Sequence, residues 1–269
     1  MPELPEIESL RRYLIAKHIT DRTITDLSIH RPIGDVTINR VAGISSLIGQ
    51  RIKSVERHGK QLYLPLDRGL LGLHMGMTGQ LIVLNPQDQP SKYARVEFFL
   101  DDGRRIELED ARRWASAQIF DNVDRITDRL GPDALDPALT SDRFISLVMR
   151  RRSSIKSVLI DQSILAGVGN IYADEALFTS GISPERRANR ISILRLTRLH
   201  KAVQTTLRLA IDYIEKNSGG DGRPFIVDAY DSRMKLRRVR GSRCPRCTVP
   251  LRSKKVGGRT TYYCRLSQR

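Results

Sequence analysis

Residues 161–178 read DQSILAGVGNIYADEALF and decide the fold of the second half of the chain. Gly167 and Gly169 predict a tight turn between two helical segments, and Asn170 falls where the second helix begins. Backbone N–H groups at a helix start, with a short amide beside them, favour phosphate binding. The same pattern is also typical of a helix-turn-helix corner within a core, so these residues by themselves leave both interpretations open.

Helical periodicity continues on both sides of this stretch. Apolar residues recur at helical spacing in the segments 141–151, 155–164, 170–179 and 191–217, which Gly and Pro residues separate. By contrast, residues 20–120 contain short runs that alternate apolar and polar positions, which is typical of strands. Asp101-Asp102-Gly103, between two such runs, predicts a hairpin. Together these patterns predict an α+β protein in which a sandwich or barrel-like sheet precedes a helical part.

The first eight residues read MPELPEIE. If Met1 is removed, which the small second residue permits, the chain begins with the secondary amine of Pro2 beside the carboxylate of Glu3. An α-amino group titrates at about pH 7.7–8.0, so part of it is neutral at physiological pH and can form a Schiff base. Apolar residues from position 7 to 15 predict a helix whose positive end keeps Glu3 and Glu6 ionised. Taken alone, the same residues also fit a frayed terminus with acidic capping residues.

The chain has 269 residues, a formal net charge of +16 and an isoelectric point of about 10.3. Its length allows two domains or one large one. The excess of Arg and Lys suits a polyanionic partner, of which nucleic acid is the usual one and a ribosome is an alternative. No run approaches about 18 apolar residues, and the N-terminus lacks a signal-peptide core. We therefore expect a cytoplasmic protein, nucleoid-associated in use, with no membrane partner.

MPELPEIE and the 161–178 stretch each resemble sequences of the formamidopyrimidine-DNA glycosylases, or MutM proteins, which share an architecture with endonuclease VIII. The resemblance covers essentially the whole chain. It implies an N-terminal helix with a β-sandwich in residues 1–130, a helix-two-turn-helix domain in residues 131–235 and a zinc-finger-like β-hairpin in residues 236–269. It also implies a monomer that acts on damaged double-stranded DNA.

The resemblance further implies a set of catalytic residues. Pro2 is the expected nucleophile and Glu3 its acid/base partner, while Glu6 has a structural role. Lys60, in the sequence HGKQ at 58–61, is expected to approach the damaged nucleotide and assist the chemistry. Without the resemblance it is an ordinary solvated lysine at a strand start. Arg259 is expected to reach the phosphates beside the lesion and to act in the later elimination step.

Two loops resemble the segments that enter the duplex when a base is extruded. In HMGMTG, residues 74–79, Met77 would fill the gap left in the duplex, although a methionine in such a turn is ordinarily part of a core. In DARRWA, residues 110–115, Arg112 would face the orphaned base and Trp114 would wedge the stack, where the family typically has Phe. The DNA-contacting residues implied in this way are His74, Met77, Tyr93, Arg112, Trp114, Arg151, Lys156 and Asn170.

All three cysteines lie in the tail of the chain. Cys244 and Cys247 form a Cys-x2-Cys pair, and Cys264 begins a second pair in which Ser267 replaces the last cysteine. Four cysteines at this spacing would be a strong tetrahedral zinc signature, but Ser267 does not supply a thiolate. Two possibilities follow: a zinc ion held by three sulfurs and a further ligand, or a hairpin that persists without metal. The ligand spacing of the cysteines favours zinc.

The function implied by the resemblance is a bifunctional DNA glycosylase and abasic-site lyase. It would excise oxidised bases, of the formamidopyrimidine and 8-oxoguanine type, through a Schiff base on Pro2. The interval 219–243 is shorter than the family loop that closes over an oxidised purine, which leaves the preferred lesion open. The alternatives are a glycosylase/lyase specific for oxidised pyrimidines or abasic sites, a catalytically silent damaged-DNA-binding protein, and a basic zinc-ribbon protein bound to RNA.

Overall fold

The computed structural model describes residues 2–30, 44–224 and 234–269. Within them the chain forms two compact units. The first unit contains Pro2, Glu6–Asp128 and residues 214–224, and the second contains Glu3–Pro5, Arg129–Tyr213 and residues 234–269. The cysteine-bearing tail thus groups with the helices of the second unit. Among the residues so described, no helix has both the length and the apolar character needed to span a membrane.

The first unit combines helices with two antiparallel four-stranded sheets. Its elements are α1 (Leu4–Ala16, of which the first residues belong to the second unit), β1 (Ile24–Ile29), a 3₁₀ helix (Ile44–Leu47), β2 (Glu56–His58), β3 (Gln61–Pro65), β4 (Leu70–His74), β5 (Gln80–Leu84), β6 (Ala94–Leu100), β7 (Arg105–Glu109), β8 (Ser116–Phe120) and α2 (Asp124–Thr127). One sheet has the strand order β1-β6-β7-β5, and the other has the order β2-β3-β4-β8.

Strands β6 and β7 form the hairpin that the sequence predicted. They pair antiparallel with Phe98 opposite Ile106, and Gly103 in the connecting turn has a φ of +83°, which glycine adopts without steric cost. Because successive side chains of a strand point to opposite faces of the sheet, alternate residues of β6 and β7 point towards the core. Phe98 and Ile106 therefore share a hydrophobic core with Leu73 of the other sheet and Leu10 of α1. The first unit is thus a β-sandwich with a helix packed on the same core.

The second unit is mostly helical. Its elements are α3 (Ser141–Met149), α4 (Ile155–Ile160), α5 (Asn170–Ser180), a 3₁₀ helix (Ala188–Arg190), α6 (Ile193–Lys216, which continues into the first unit) and the paired strands β9 (Arg252–Val256) and β10 (Arg259–Tyr263). Thr140 and Ser154 cap α3 and α4 by accepting the backbone N–H group three residues later. The helices pack around a core that includes Leu4, Phe144 and Tyr172.

Residues 161–169 form a tight turn between α4 and α5. Gly167 has a φ of +104°, and a Cβ atom there would lie 2.4 Å from Leu4 Cδ1, so a larger residue does not fit. The side-chain amide of Gln162 donates to the Val168 carbonyl at 2.8 Å and accepts the Gly167 N–H at 3.0 Å. The Leu4 N–H donates to the Gly167 carbonyl at 3.1 Å. The turn therefore holds the backbone next to Glu3 against the start of α5.

Candidate functional site

The carboxylate of Glu3 lies at the N-terminus of α5. It accepts N–H hydrogen bonds from Gly169, Ile171 and Tyr172 at 2.8, 2.9 and 3.4 Å. Glu3 is only 1% exposed, and a Cβ atom on Gly169 would lie 2.3 Å from its carboxyl carbon. The first N–H groups of a helix and its dipole stabilise an anion at this position. The start of α5 is therefore built around this one side chain.

This arrangement corrects the expectation for the start of α5. The sequence indicated a phosphate site made of the N–H groups around Asn170, but the structure gives those N–H groups to Glu3. The Asn170 side chain is half-buried, and its Oδ1 atom has no hydrogen-bond partner among the described residues. The N–H groups of Gly169, Ile171 and Tyr172 are thus already used within the protein.

Pro2 and Glu6 lie on either side of the α1 start. Pro2 is buried and is bonded directly to Glu3, so the fixed Glu3 restricts where the Pro2 nitrogen lies. Met1 falls outside the described residues, and the amine expected from the sequence exists only after Met1 has been removed. Glu6 is fully buried in the first turn of α1. Its burial restricts the Glu6 carboxylate to contacts within the protein.

Lys60 follows a tight turn between β2 and β3. Gly59 has a φ of +58°, and its carbonyl accepts a hydrogen bond from the Arg57 guanidinium at 3.2 Å. Arg57 also donates to Glu8 of α1 at 3.0 Å. Lys60 itself is half-buried. Two charged side chains therefore tie the Lys60 turn to α1.

Glu8 is a charged residue that the sequence reasoning did not single out. Burial raises the pKa of its carboxyl group, but hydrogen bonds from Arg11, Arg12 and Arg57 outweigh burial and lower the pKa of Glu8 to about 2. The spacing of Glu8 from Arg11 and Arg12 on one helix is a local signal that predicts those two pairs. The contact with Arg57 spans 49 positions along the chain, so no local pattern reveals it.

His74 is a neutral acceptor in the first unit. Burial lowers the pKa of its imidazole, and the positive charge of Lys60 lowers it further. The Nδ1 atom of His74 accepts the Gly76 N–H at 3.0 Å, which leaves the proton on Nε2. His74 can therefore offer a partner one neutral N–H donor, and not the positive charge of an imidazolium.

The turn at residues 74–79 lies against the loop at residues 110–115. Gly76 has a φ of +55°, and a Cβ atom there would lie 2.5 Å from the Trp114 carbonyl carbon. Met75 is fully buried, while Met77 is half-exposed. Trp114 is 55% exposed, and the Arg112 guanidinium stacks 4.7 Å from the centre of its ring. The structure thus brings together three of the side chains that the sequence predicted to contact DNA.

Asp110 organises the 110–115 loop. Its buried carboxylate accepts backbone N–H groups from Arg112, Trp114 and Ala115 at 3.0, 2.6 and 2.7 Å. It also accepts a hydrogen bond from the Thr78 hydroxyl in the neighbouring turn. The sequence reasoning gave Asp110 no role, although an Asp that bonds N–H groups just after it is a known turn pattern.

The structure corrects the role predicted for Lys156. Lys156 is fully buried, and its ammonium group pairs with Asp174 of α5 and donates to the Thr261 hydroxyl of β10. Burial lowers the pKa of Lys156, and the charge of Asp174 opposes that change. A side chain with no exposed surface does not reach a phosphate, so the DNA contact predicted from sequence is wrong. Lys156 instead joins α4, α5 and the β9–β10 hairpin.

Arg238 completes this buried group and was missed from the sequence. Its guanidinium donates to Asp174 at 2.7 Å, to the Asn170 carbonyl at 2.9 Å and to the Thr260 carbonyl at 3.2 Å. It also lies 5.7 Å from the ring centre of Tyr262. Arg238 therefore links the first residue of α5 to the strand that begins with Arg259. The sequence showed only an arginine-rich interval here.

The remaining basic and aromatic candidates are solvent-exposed. Arg259 begins β10 after two glycines of positive φ, and Arg151 comes one residue after Arg150, the C-cap of α3. Tyr93 is 44% exposed, and its carbonyl accepts the Asp110 N–H at 3.0 Å. Residues 225–233, within the interval that the sequence marked as shortened, lie outside the described residues. The described part of the chain therefore leaves the expectation about lesion preference untested.

The three cysteines converge on one point of the second unit. Their Sγ atoms lie within 4.8 Å of one another, and Cys247 Sγ is 3.4 Å from Cys264 Sγ. Ser267 Oγ lies 3.5 Å from Cys244 Sγ and 3.6 Å from Cys247 Sγ. A tetrahedral site with zinc–sulfur bonds of about 2.3 Å has edges of about 3.8 Å. The three thiolates are thus close enough together to hold a metal ion, and the Ser267 hydroxyl lies within reach of the same point.

Comparison with known proteins covers both units. Residues 1–117 match the sequence model of the formamidopyrimidine-DNA glycosylase N-terminal domain, and residues 130–219 match that of the formamidopyrimidine-DNA glycosylase H2TH domain. The chain is 35% identical over 284 residues to the formamidopyrimidine-DNA glycosylase of Acidithiobacillus ferrooxidans, with all of both chains covered. It is 34% identical over 283 residues to that of Desulforamulus reducens, covering 100% of this chain and 99% of the relative.

Solved structures give the same result. The crystal structure of MutM (Fpg) from Thermus thermophilus matches with a TM-score of 0.82 and 30% identity, over 99% of this chain and 98% of that one. A MutM bound to DNA containing carbocyclic 8-oxo-G matches with a TM-score of 0.84 and 25% identity over 99% of both chains. A mutant of Lactococcus lactis Fpg bound to DNA containing Fapy-dG gives the same TM-score, identity and coverage. The family models, the relatives and the solved structures therefore agree that this chain belongs to the formamidopyrimidine-DNA glycosylase family.

Proposed function

We propose that this protein is a bifunctional DNA glycosylase and abasic-site lyase that removes oxidised bases of the formamidopyrimidine and 8-oxoguanine type from duplex DNA. The observation that carries the proposal is the Glu3 carboxylate, which three backbone N–H groups hold directly after Pro2 in the chain. Family membership and the DNA complexes of the structural relatives support it. The net charge of +16 supports a polyanionic substrate whose binding weakens with salt.

In the proposed reaction, removal of Met1 makes the Pro2 nitrogen a secondary amine. Its lone pair forms a bond to C1′ of a nucleotide that has been turned out of the stack. The bond from C1′ to the damaged base breaks, and the base leaves with the electron pair and takes up a proton. Glu3 transfers protons at the deoxyribose, and Lys60 stabilises the charge that develops. Opening of the sugar ring then leaves an iminium, the protonated Schiff base, on Pro2.

The iminium makes the C2′ hydrogens acidic, which opens a route to strand cleavage. A base removes one C2′ proton, and the C3′–O bond breaks with its electrons on the departing phosphate. In a second elimination the C4′ proton is lost and the C5′–O bond breaks with its electrons on the other phosphate. Water then hydrolyses the iminium and restores the amine. We assign the exposed Arg259 to the neutralisation of phosphate charge in these steps.

We propose that Met77, Arg112 and Trp114 occupy the space left by the extruded nucleotide. The exposure of Trp114 and the stacking of Arg112 on its ring support this assignment, because a core tryptophan would be buried. The proposed contacts with the DNA backbone are His74, Tyr93, Arg151 and Asn170. Lys156 is not among them because it is buried.

Borohydride trapping tests the central step. Reduction of the iminium should join the protein to a duplex that contains an abasic site, and mass spectrometry of the adduct should locate the sugar on a peptide that begins at Pro2. Absence of an adduct with the wild-type protein would contradict the enzyme proposal and favour a silent damaged-DNA-binding protein.

Substitutions separate the roles of the catalytic residues. Pro2→Gly should slow base release by about a hundredfold or more, because it replaces the nucleophile. Lys60→Ala should slow it by about tenfold to a hundredfold, because it removes one stabilising charge. Lys53→Ala, at an exposed lysine of the same unit, is the matched control. Equal rates for Pro2→Gly, Lys60→Ala and the control would contradict these roles.

A lesion panel resolves the substrate. Single-turnover cleavage of duplexes that carry 8-oxoguanine, thymine glycol or an abasic site should be compared at one salt concentration. The proposal expects faster base release from 8-oxoguanine than from thymine glycol. The reverse order would replace it with the alternative of an oxidised-pyrimidine enzyme, and cleavage of the abasic duplex alone would indicate an abasic-site-specific lyase.

We also propose that Cys244, Cys247 and Cys264 hold a structural zinc ion, with the Ser267 hydroxyl at the fourth position. The distances among the four donor atoms support this fit. The ion would cross-link the two ends of the tail and would take no part in the reaction.

Metal analysis of the purified protein should find about one zinc ion per chain. Because a fourth thiolate strengthens the site, Ser267→Cys should slow the loss of zinc to a chelator. Ser267→Ala should speed it and serves as the opposite control. A metal-free protein whose melting temperature is unchanged by added zinc would support the hairpin that persists without metal.

A further inference from the structure

The geometry points to Asp110 as a positioning residue that couples the 74–79 turn to the 110–115 loop, so that Met77 and Trp114 enter DNA as one body. This coupling rests on the proposed function, because it concerns the contact of both side chains with a duplex. It adds to the proposed function a residue that acts through Met77 and Trp114. Asp110 has no exposed surface and so touches no substrate itself.

The two oxygens of Asp110 divide four donors between them. Oδ1 accepts the Arg112 N–H at 3.0 Å and the Thr78 hydroxyl, so one oxygen joins the two segments. Oδ2 accepts the Trp114 and Ala115 N–H groups at 2.6 and 2.7 Å. Only a carboxylate offers acceptors on both oxygens, because an amide of the same shape places two N–H donors on one side.

The 74–79 turn, which carries Met77, is itself closely packed. Thr78 follows Met77 directly, so the Thr78 hydroxyl bond restrains the backbone that carries the Met77 side chain. The Gly79 N–H donates to the Met75 carbonyl at 2.8 Å and closes the turn. A Cβ atom on Gly79 would lie 2.9 Å from the Cβ of Ala115. The turn and the loop are therefore closely packed beside the Thr78–Asp110 hydrogen bond as well as joined by it.

Separation of the two segments would leave buried polar groups unpaired. Asp110 is fully buried, so water does not replace a hydrogen-bonding partner that it loses. The two segments are thus held in one relative position before DNA arrives. The fixed relative position of the two segments matters most while a base is being extruded, because Met77 and Trp114 must then fill the vacated space together. It matters less for an abasic site, which has no base to extrude.

Thr78→Val tests the link, because valine keeps the shape of threonine and removes the hydroxyl. Thr78→Ser keeps the hydroxyl and is the matched control. In single-turnover assays with excess protein, Thr78→Val should lower the rate of 8-oxoguanine excision by about tenfold, while Thr78→Ser stays within about twofold of wild type. Strand cleavage at a preformed abasic site should fall by a smaller factor. A purely structural role would lower both reactions by the same factor and would overturn the coupling.

Asp110→Asn provides a second variant with an optical signal. Trp114 is the only tryptophan, so the tryptophan fluorescence of the protein, excited selectively over that of the tyrosines, reports on this loop alone. Asp110→Asn and Thr78→Val should both slow the fluorescence change that follows mixing with lesion-containing duplex. Asp102→Asn, in the exposed β6–β7 turn, is the control for loss of one carboxylate charge and should behave as wild type. An unchanged fluorescence rate in both loop variants would overturn the coupling.

A double-mutant cycle separates this inference from the proposed function. If Met77→Ala alone slows excision, adding Thr78→Val should slow it by less than about twofold more, because the link then has nothing to position. Fully additive losses would overturn the coupling while leaving the DNA contacts intact. Absence of any effect of Met77→Ala or Trp114→Ala, in a protein that borohydride still traps, would overturn the contacts themselves. Failure of trapping would overturn the enzyme proposal.

Discussion

Two buried carboxylates in this protein make similar hydrogen bonds but differ in where their donors lie along the chain. Glu3 accepts three backbone N–H groups at the start of α5, and Asp110 accepts three backbone N–H groups within its own loop. The backbone donors to Glu3 lie more than 160 positions away along the chain, whereas the backbone donors to Asp110 lie within five, and only the Thr78 hydroxyl reaches Asp110 from another segment. Glu3 thus depends on tertiary structure for all three backbone hydrogen bonds, and Asp110 obtains its three from its own loop.

This difference between the two carboxylates is matched by a difference in the roles that we propose for them. In the proposed function, Glu3 sits beside the nucleophile and its position serves the chemistry. Asp110 holds the loop that exposes Arg112 and Trp114 to solvent, and in the proposal its position serves DNA recognition. The same hydrogen-bond pattern would therefore fix a reacting group in one unit and a DNA-contacting loop in the other.

The largest effect should come from Glu3→Gln, which tests whether Glu3 acts as more than a helix cap. Glutamine has one acceptor oxygen and places an NH₂ group among backbone donors, so the start of α5 should lose about 1–3 kcal/mol. Base release should fall by about 10²–10⁴-fold because proton transfer is also lost. Thermal denaturation and single-turnover excision measure the two effects. A stability loss with unchanged excision would reduce Glu3 to a structural residue.

Gly169→Ala should give the next effect, because it disturbs the Glu3 site without changing Glu3. The added methyl group would lie 2.3–2.7 Å from the Glu3 carboxyl atoms, so the carboxylate has to move. We expect a loss of about 1–3 kcal/mol in the free energy of unfolding, together with at least tenfold slower excision. Gly220→Ala, where no atom lies within 4 Å of the new methyl group, is the matched control. Wild-type excision by Gly169→Ala would show that the position of Glu3 tolerates displacement.

Glu8 extends the comparison to a carboxylate whose partners are charged side chains. Its pKa is about 2 in the folded protein against an ordinary value of 4.5, so ionised Glu8 stabilises the folded state above about pH 4.5. That contribution is lost as the pH falls from 4.5 towards 2. Because water screens part of the interaction, Glu8→Gln should cost about 1–2 kcal/mol at pH 7. Urea denaturation of both proteins from pH 7 to pH 3.5 should show the difference shrinking, and a constant difference would contradict this account.

Trp114→Ala should have the smallest effect on stability and sharpens the contrast with Glu3. Trp114 is 55% exposed, so its removal should change the free energy of unfolding by no more than about 0.5 kcal/mol. Excision should still fall by about tenfold, because base stacking on an aromatic side chain is worth about 1–3 kcal/mol. A large loss of stability with unchanged excision would identify Trp114 as a packing residue.

The sequence predicted those features that depend on local patterns. The turn at 161–169, the β6–β7 hairpin and the convergence of the three cysteines all follow from residue spacing, and the structure contains each of them. The resemblance to the glycosylase family also led to the correct family.

Two features that the sequence misassigned depend on contacts between distant residues. Lys156 has the sequence context of a surface cation, and only the fold reveals that Asp174 and Thr261 bury it. The N–H groups around Asn170 have the pattern of an anion-binding site, and only the fold reveals that the anion is the Glu3 carboxylate. Hydrophobic periodicity carries no information about which charged groups meet in a core.

The cap that Glu3 forms on α5 has a consequence for folding. Its three N–H donors lie within residues 169–172, so they are synthesised long after Glu3 itself. The Glu3 carboxylate therefore reaches its buried position only after residue 172 has been made, and a shorter nascent chain leaves it in water.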